Sequence, residues 1–168
     1  MSEPLNESIV SFEDVSGADD VPTAANIEQW VQQVLSNQLD AAPFPELSIQ
    51  VVNEQTISEL NETYRHKSGP TNVLSFPFEA PPGLPEEEAE ALLGDIVICA
   101  QVVANEAQQQ HKSLQAHWAH MIVHGVLHLL GYDHLDDEEA DQMESLEIQL
   151  LSELAFPNPY QELANQPS

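Results

Sequence analysis

The stretch LQAHWAHMIVHGVLHLL, residues 114–130, constrains this chain more than any other. Nearly every position is apolar, so a helix here must be buried on most of its sides. Its polar exceptions include His120, His124 and His128, spaced four apart. That spacing stacks them on one stripe of an α-helix, in successive turns. Three buried imidazoles are costly to leave unsatisfied, so the fold has to bring something to their nitrogens.

Helix geometry limits what that partner can be. An i, i+4 pair lies roughly 6 Å apart along the axis and can converge on one metal ion. His120 and His128 are separated by about 12 Å, too far to share an ion at bonds of about 2 Å. The residues that follow favour His124 with His128. Gly131 is suited to the position just past a helix end, where φ is positive. The chain Tyr132, Asp133, His134 then returns a third imidazole toward the pair. The string HGVLHLLGYDH (124–134) reads H-x3-H-x5-H around a glycine reversal. Three neutral imidazoles on a tetrahedral ion leave one position for water, as in catalytic zinc sites, and water held there is acidified toward neutrality. The expected ligands are His124, His128 and His134, with one Zn(2+) per chain; nickel and copper also suit imidazole. His120 is expected to be structural or to support a ligand. His66, His111 and His117 are expected to be solvent-exposed or in local contacts.

The remaining sequence frames this site. The chain has 168 residues, and its apolar fraction of 42% is that of an ordinary folded domain. No apolar run approaches the roughly 18 residues of a membrane span. The opening MSEPLNESIVSFEDV does not resemble a secretory signal, and the lone Cys99 cannot form an internal disulfide. A cytoplasmic protein with a reduced thiol is expected. Against 29 acidic residues stand three basic ones, for a formal net charge of −26. Such a chain repels nucleic acid and anionic membranes at long range. The three cations are Arg65 and Lys67 in YRHK and Lys112 in HK.

Periodicity predicts strands over 7–15, 46–53 (ELSIQVVN), 72–78 (NVLSFPF) and 93–100 (LGDIVICA). Pro77 marks the third as an edge or a strand end, and the apolar run of the fourth marks a buried strand. Helices are predicted from Thr23 (Ile27, Trp30, Val31, Val34, Leu35), over 56–65, and over 101–110, 114–130 and 136–152. The last places Ala140, Met143, Leu146 and Leu150 on one face, as an ordinary surface helix does. Residues 81–90 (PPGLPEEEAE) are predicted to be a solvated loop. The expected architecture is a single α+β (α/β-like) domain over residues 1–155, with about four strands flanked by five or six helices. Residues 156–168 are expected to form a loosely ordered tail.

H-x3-H-x2-G-x2-H is also the spacing of metzincin proteases, where the residue after the first histidine is the general base Glu. Here it is Gly125. Glu106 or Asp133 would have to take that role, and nothing in the sequence points to either. A metzincin-like metallopeptidase and a non-catalytic metal-binding module are therefore the alternatives. A structural zinc site would need a fourth ligand, for which Asp133 is the nearest candidate.

The string HGVLHLLGYDH is similar to the signature of the bacterial YbeY family of rRNA-maturation endoribonucleases. The resemblance extends to LNETYRHKSGPTNVLSFPFE (60–79), LGDIVIC (93–99) and HWAHMIVHG (117–125). It covers about residues 47 to 151 and departs at Ser68, where an acidic residue is usual. It implies His124, His128 and His134 as zinc ligands and Arg65 as the catalytic cation across the cleft. It further implies a mixed sheet flanked by helices, with the metal in a cleft between the histidine helix and the sheet. The implied activity is single-strand-specific endoribonuclease action in 16S rRNA 3′-end maturation and late-stage 70S ribosome quality control. The implied partners are single-stranded rRNA and the ribosome, ribosomal proteins or assembly factors, with no membrane and no DNA. A guanidinium can fork two phosphate oxygens, which suits Arg65 to that chemistry. Ser75, on the third strand, is a candidate to line the groove. Because a chain at −26 binds naked RNA poorly, a partner that presents the RNA is the expected solution.

Overall fold

The structure is a computed structural model that describes residues 8–40, 43–133 and 136–160. Within them the elements run β1 (Val10–Asp14), α1 (Ala24–Gln38), β2 (Glu46–Val52), α2 (Glu54–Arg65), β3 (Val73–Pro77), α3 (Glu86–Glu90), β4 (Leu92–Cys99), α4 (Ala100–Gln109), α5 (Leu114–Leu129) and α6 (Asp137–Glu153). Side-chain caps start the longer helices. Thr23 accepts from the Asn26 N–H, Asn53 from Thr56, Ser113 from Ala116 and Asp136 from Glu139. Each cap satisfies a backbone donor that has no partner inside the helix.

The four strands form one mixed sheet in the order β1-β2-β4-β3, with β1, β2 and β4 parallel and β3 antiparallel to β4. This is the α+β domain expected from the sequence. β3 is an edge strand ending at Pro77, where a missing N–H costs no ladder bond. The central β4 explains the uninterrupted apolar run. Its Ile96 and Ile98 face the main core with α1 and α5, while Val97 and Cys99 face a second cluster under α2, with Ile57 and Leu74. The Cys99 thiol is buried, and burial raises its pKa.

Two expectations are corrected. Residues 86–90 form the short helix α3 and not a continuous loop: three glutamates open its first turn, where the helix dipole favours negative charge. His117 is buried, because α5 packs against α1, α4, α6 and the sheet and leaves its flank no route to solvent. Of the expected tail, residues 161–168 lie outside the described residues, and Phe156 packs edge-on against Trp30 of α1. No helix among the described residues is long and apolar enough to cross a membrane.

Candidate metal centre

Helix α5 reaches the sheet through Gly125. A Cβ there would meet the Ile96 side chain at 3.0 Å and Ser75 Oγ at 3.4 Å, so the backbone lies directly on β4 and β3. His124, the residue before that contact, and His128, one turn further along the same face, are half-buried, with ring centroids 4.7 Å apart. Both line a cavity of about 530 Å³ between α5 and β3, together with Arg65, Asn72, Ser75 and Asp133. The helix ends as predicted. Gly131 has φ +105°, its N–H bonds to the His128 carbonyl and the Tyr132 N–H bonds to that of Leu127. This double bond is the Schellman reversal, which turns Tyr132 and Asp133 into the cavity wall. His134, the third expected ligand, lies outside the described residues.

Arg65 is the last residue of α2 and is exposed at the cavity. The helix stops there because His66 adopts the left-handed conformation (φ 58°, ψ 33°) that histidine tolerates better than most residues. The buried Asn61 then ties the following loop down, donating from Nδ2 to the Gly69 carbonyl at 3.0 Å. Of the other two cations, Lys67 is exposed, and Lys112 lines a separate recess with His111 and Asn158. Glu106 does not line the cavity. It accepts from Asn72 and from Nε2 of His117, at 3.1 and 2.9 Å. Burial opposes its charge, but those bonds prevail and lower its pKa.

Behind His124 lies a group that sequence reasoning missed. Glu147 of α6 is fully buried; its Oε2 accepts from Nδ1 of His124 at 2.6 Å and its Oε1 from Nε2 of His120 at 3.0 Å. The Tyr160 hydroxyl donates to the same Oε1. Desolvation opposes the charge on Glu147, yet its bonds to the two imidazoles push its pKa down to about 2. Burial lowers the pKa of His120, against the bond to Glu147, which raises it. The signal was available: Glu147 falls four residues after Met143 and three before Leu150, on the stripe that α6 buries.

His120, His124 and Glu147 offer ligand atoms all within 4.8 Å of one another, a grouping able to hold a metal. As arranged, however, the 2.6 Å contact between His124 and Glu147 is a direct hydrogen bond. Two ligands of one tetrahedral zinc stand roughly 3.3 Å apart, given bonds of about 2 Å. The His124 and His128 pair instead faces the polar cavity, beside Asp133 and Arg65. With Nδ1 of His124 committed to Glu147, Nε2 is the atom that would ligate.

The sequence profile described as Endoribonuclease YbeY matches residues 13–155. A protein named Endoribonuclease YbeY from Alcanivorax borkumensis is 51% identical over 151 residues, covering 90% of this chain and 85% of its own. One of the same name from Coxiella burnetii is 52% identical over 144 residues, covering 86% and 92%. The solution structure of TM1509 from Thermotoga maritima superposes with a TM-score of 0.55 at 21% identity, over 90% of this chain and 99% of that one, a likeness of fold. On the profile match and these sequence relatives, the chain belongs to the endoribonuclease YbeY family.

Proposed function

We propose that this protein is a metal-dependent, single-strand-specific endoribonuclease. It holds one zinc ion through His124, His128 and His134 and binds the scissile phosphate with Arg65. The observation that carries this reading is that Arg65 and the His124–His128 pair, from α2 and α5, line one cavity. When bound, the metal supplies Lewis-acid polarisation of a phosphate oxygen. The guanidinium of Arg65 forks the phosphate and stabilises charge that develops on it. Ser75 and Asn72 form the β3 wall against which the ribose-phosphate chain lies. The relatives' name supports RNA as the substrate.

The substrate is rRNA, in 16S 3′-end maturation and late-stage 70S quality control, and the compartment is the cytoplasm. A net charge of −26 leaves little long-range attraction for free RNA, so a ribosomal partner presents the strand. The peptidase reading loses support at Gly125, which holds no general-base carboxylate and where a Cβ would press on Ile96 at 3.0 Å and on Ser75 at 3.4 Å.

The test compares wild type and Arg65→Ala on single-stranded rRNA fragments and on casein, before and after chelation, with total metal measured. RNA cutting by metal-loaded wild type alone, with metal retained in Arg65→Ala, supports the reading. Cutting of casein, or RNA cutting that survives chelation, overturns it.

A further inference from the structure

A fully buried carboxylate is expensive, and replacing a buried ion pair by apolar side chains is often neutral or stabilising. Glu147 therefore calls for an explanation beyond packing. Among the described residues its hydrogen-bond donors are two imidazoles and a phenol, with neither lysine nor arginine among them. Its two oxygens divide the work. Oε1 takes the bonds from His120 and Tyr160, which fix the carboxylate, and Oε2 takes Nδ1 of His124. With the carboxylate as acceptor in that last bond, the proton sits on Nδ1 of His124. A proton on Nδ1 leaves the lone pair on Nε2, and the ring lines the cavity.

The fold contains an internal contrast. Glu106 and His117 form the same kind of pair, at 2.9 Å. His117, however, is buried with its Nδ1 lacking a partner among the described residues, and it does not line the cavity. Among the described residues, only the Glu147 pairing passes from the interior, through an imidazole, to the cavity.

Resting on the metal site proposed above, we infer that Glu147 is a positioning residue for that site. It holds His124 as the Nδ1–H tautomer, aims Nε2 at the metal and raises the basicity of the ligand. A carboxylate bonded to the distal nitrogen of a ligating histidine has this effect generally, and its loss weakens metal affinity 10- to 100-fold. His120 and Tyr160 act one step further out, by fixing the carboxylate.

The experiment uses the full chain. Imidazole 15N NMR on metal-free and zinc-loaded wild type is expected to show His124 protonated at Nδ1 in both states and ligating through Nε2 in the second. A proton on Nε2 without metal, or ligation through Nδ1, overturns the inference and requires no variant to fold. Glu147→Gln is expected to bind one zinc with affinity lowered 10- to 100-fold by chelator competition, and to keep the wild-type visible spectrum when loaded with cobalt(II). Unchanged affinity overturns the inference. An altered cobalt spectrum, indicating a lost ligand, overturns it in favour of Glu147 as a direct ligand. His128→Ala separates the two levels. It retains the Glu147–His124 bond and is expected to lose zinc; if it binds like wild type, the site reading itself fails, and the inference with it.

Discussion

Ser75 Oγ donates to the Gly125 carbonyl at 3.3 Å, joining the edge strand β3 to the middle of α5. The seam is tight: a Cβ on Gly125 would meet Ile96 at 3.0 Å, so any side chain there needs Ile96 to give way. Gly125→Glu, which would restore the protease-like motif, must therefore bury a carboxylate in the seam between helix and sheet. The expected cost is several kcal/mol. Urea unfolding checks this, and a variant as stable as wild type would contradict the packing described.

In the mechanism proposed above, Arg65 would act by the shape of its donor as well as by its charge. Arg65→Lys keeps a positive charge but loses the forked contact, and is expected to restore little of the activity lost in Arg65→Ala. That loss is expected to be on the order of 100-fold or more in kcat. Because Arg65 is exposed, unfolding free energy should change by no more than about 0.5 kcal/mol in either variant. Steady-state kinetics beside denaturant melts separate the two effects.

Asn61 never reaches the cavity, yet it secures the loop that follows Arg65. Asn61→Ala leaves the Gly69 carbonyl without its 3.0 Å donor and is expected to cost about 1–2 kcal/mol. Activity is expected to fall while zinc content stays at one per chain, because α5 is untouched. Metal analysis and RNA cleavage on the same sample provide the check.

Glu28 anchors the start of β1, accepting from Ser8 and from the backbone N–H groups of Ile9 and Val10. Partial burial raises its pKa, but the bonds from Ser8, Gln32 and the two amides outweigh it, and the net shift is downward from 4.5. A depressed folded-state pKa contributes stability that is present above the unfolded value and is lost as pH falls through the folded one. Amide protection at Ile9 and Val10 is therefore expected to weaken as pH drops below about 4.5. In Glu28→Gln, protection at these amides is lower at neutral pH and insensitive to acid. Hydrogen exchange as a function of pH measures both.

Much of this was legible from residues alone. The spacing of His124 and His128 and the glycine at 131 predict α5, its end and its paired imidazoles, because all depend on contacts within one or two turns. The apolar run of β4 and the proline ending β3 likewise place those strands, since burial on two faces and a missing N–H are local properties. The YRHK and HGVLHLLGYDH strings, taken as a resemblance, led to the family that the comparisons establish. What only the tertiary structure decided is which distant groups meet. Glu147 read as one more acid on an acidic helix until the packing of α6 against α5 placed it between His120 and His124. His117 read as exposed or in a local contact until α4 brought Glu106 against it, and Arg65 and His124 share a cavity because α2 and α5 both border β3. Periodicity reports which face of an element is buried, but it carries no record of the partner on the other side. That partner is set by the relative placement of whole helices, which is decided when the core packs.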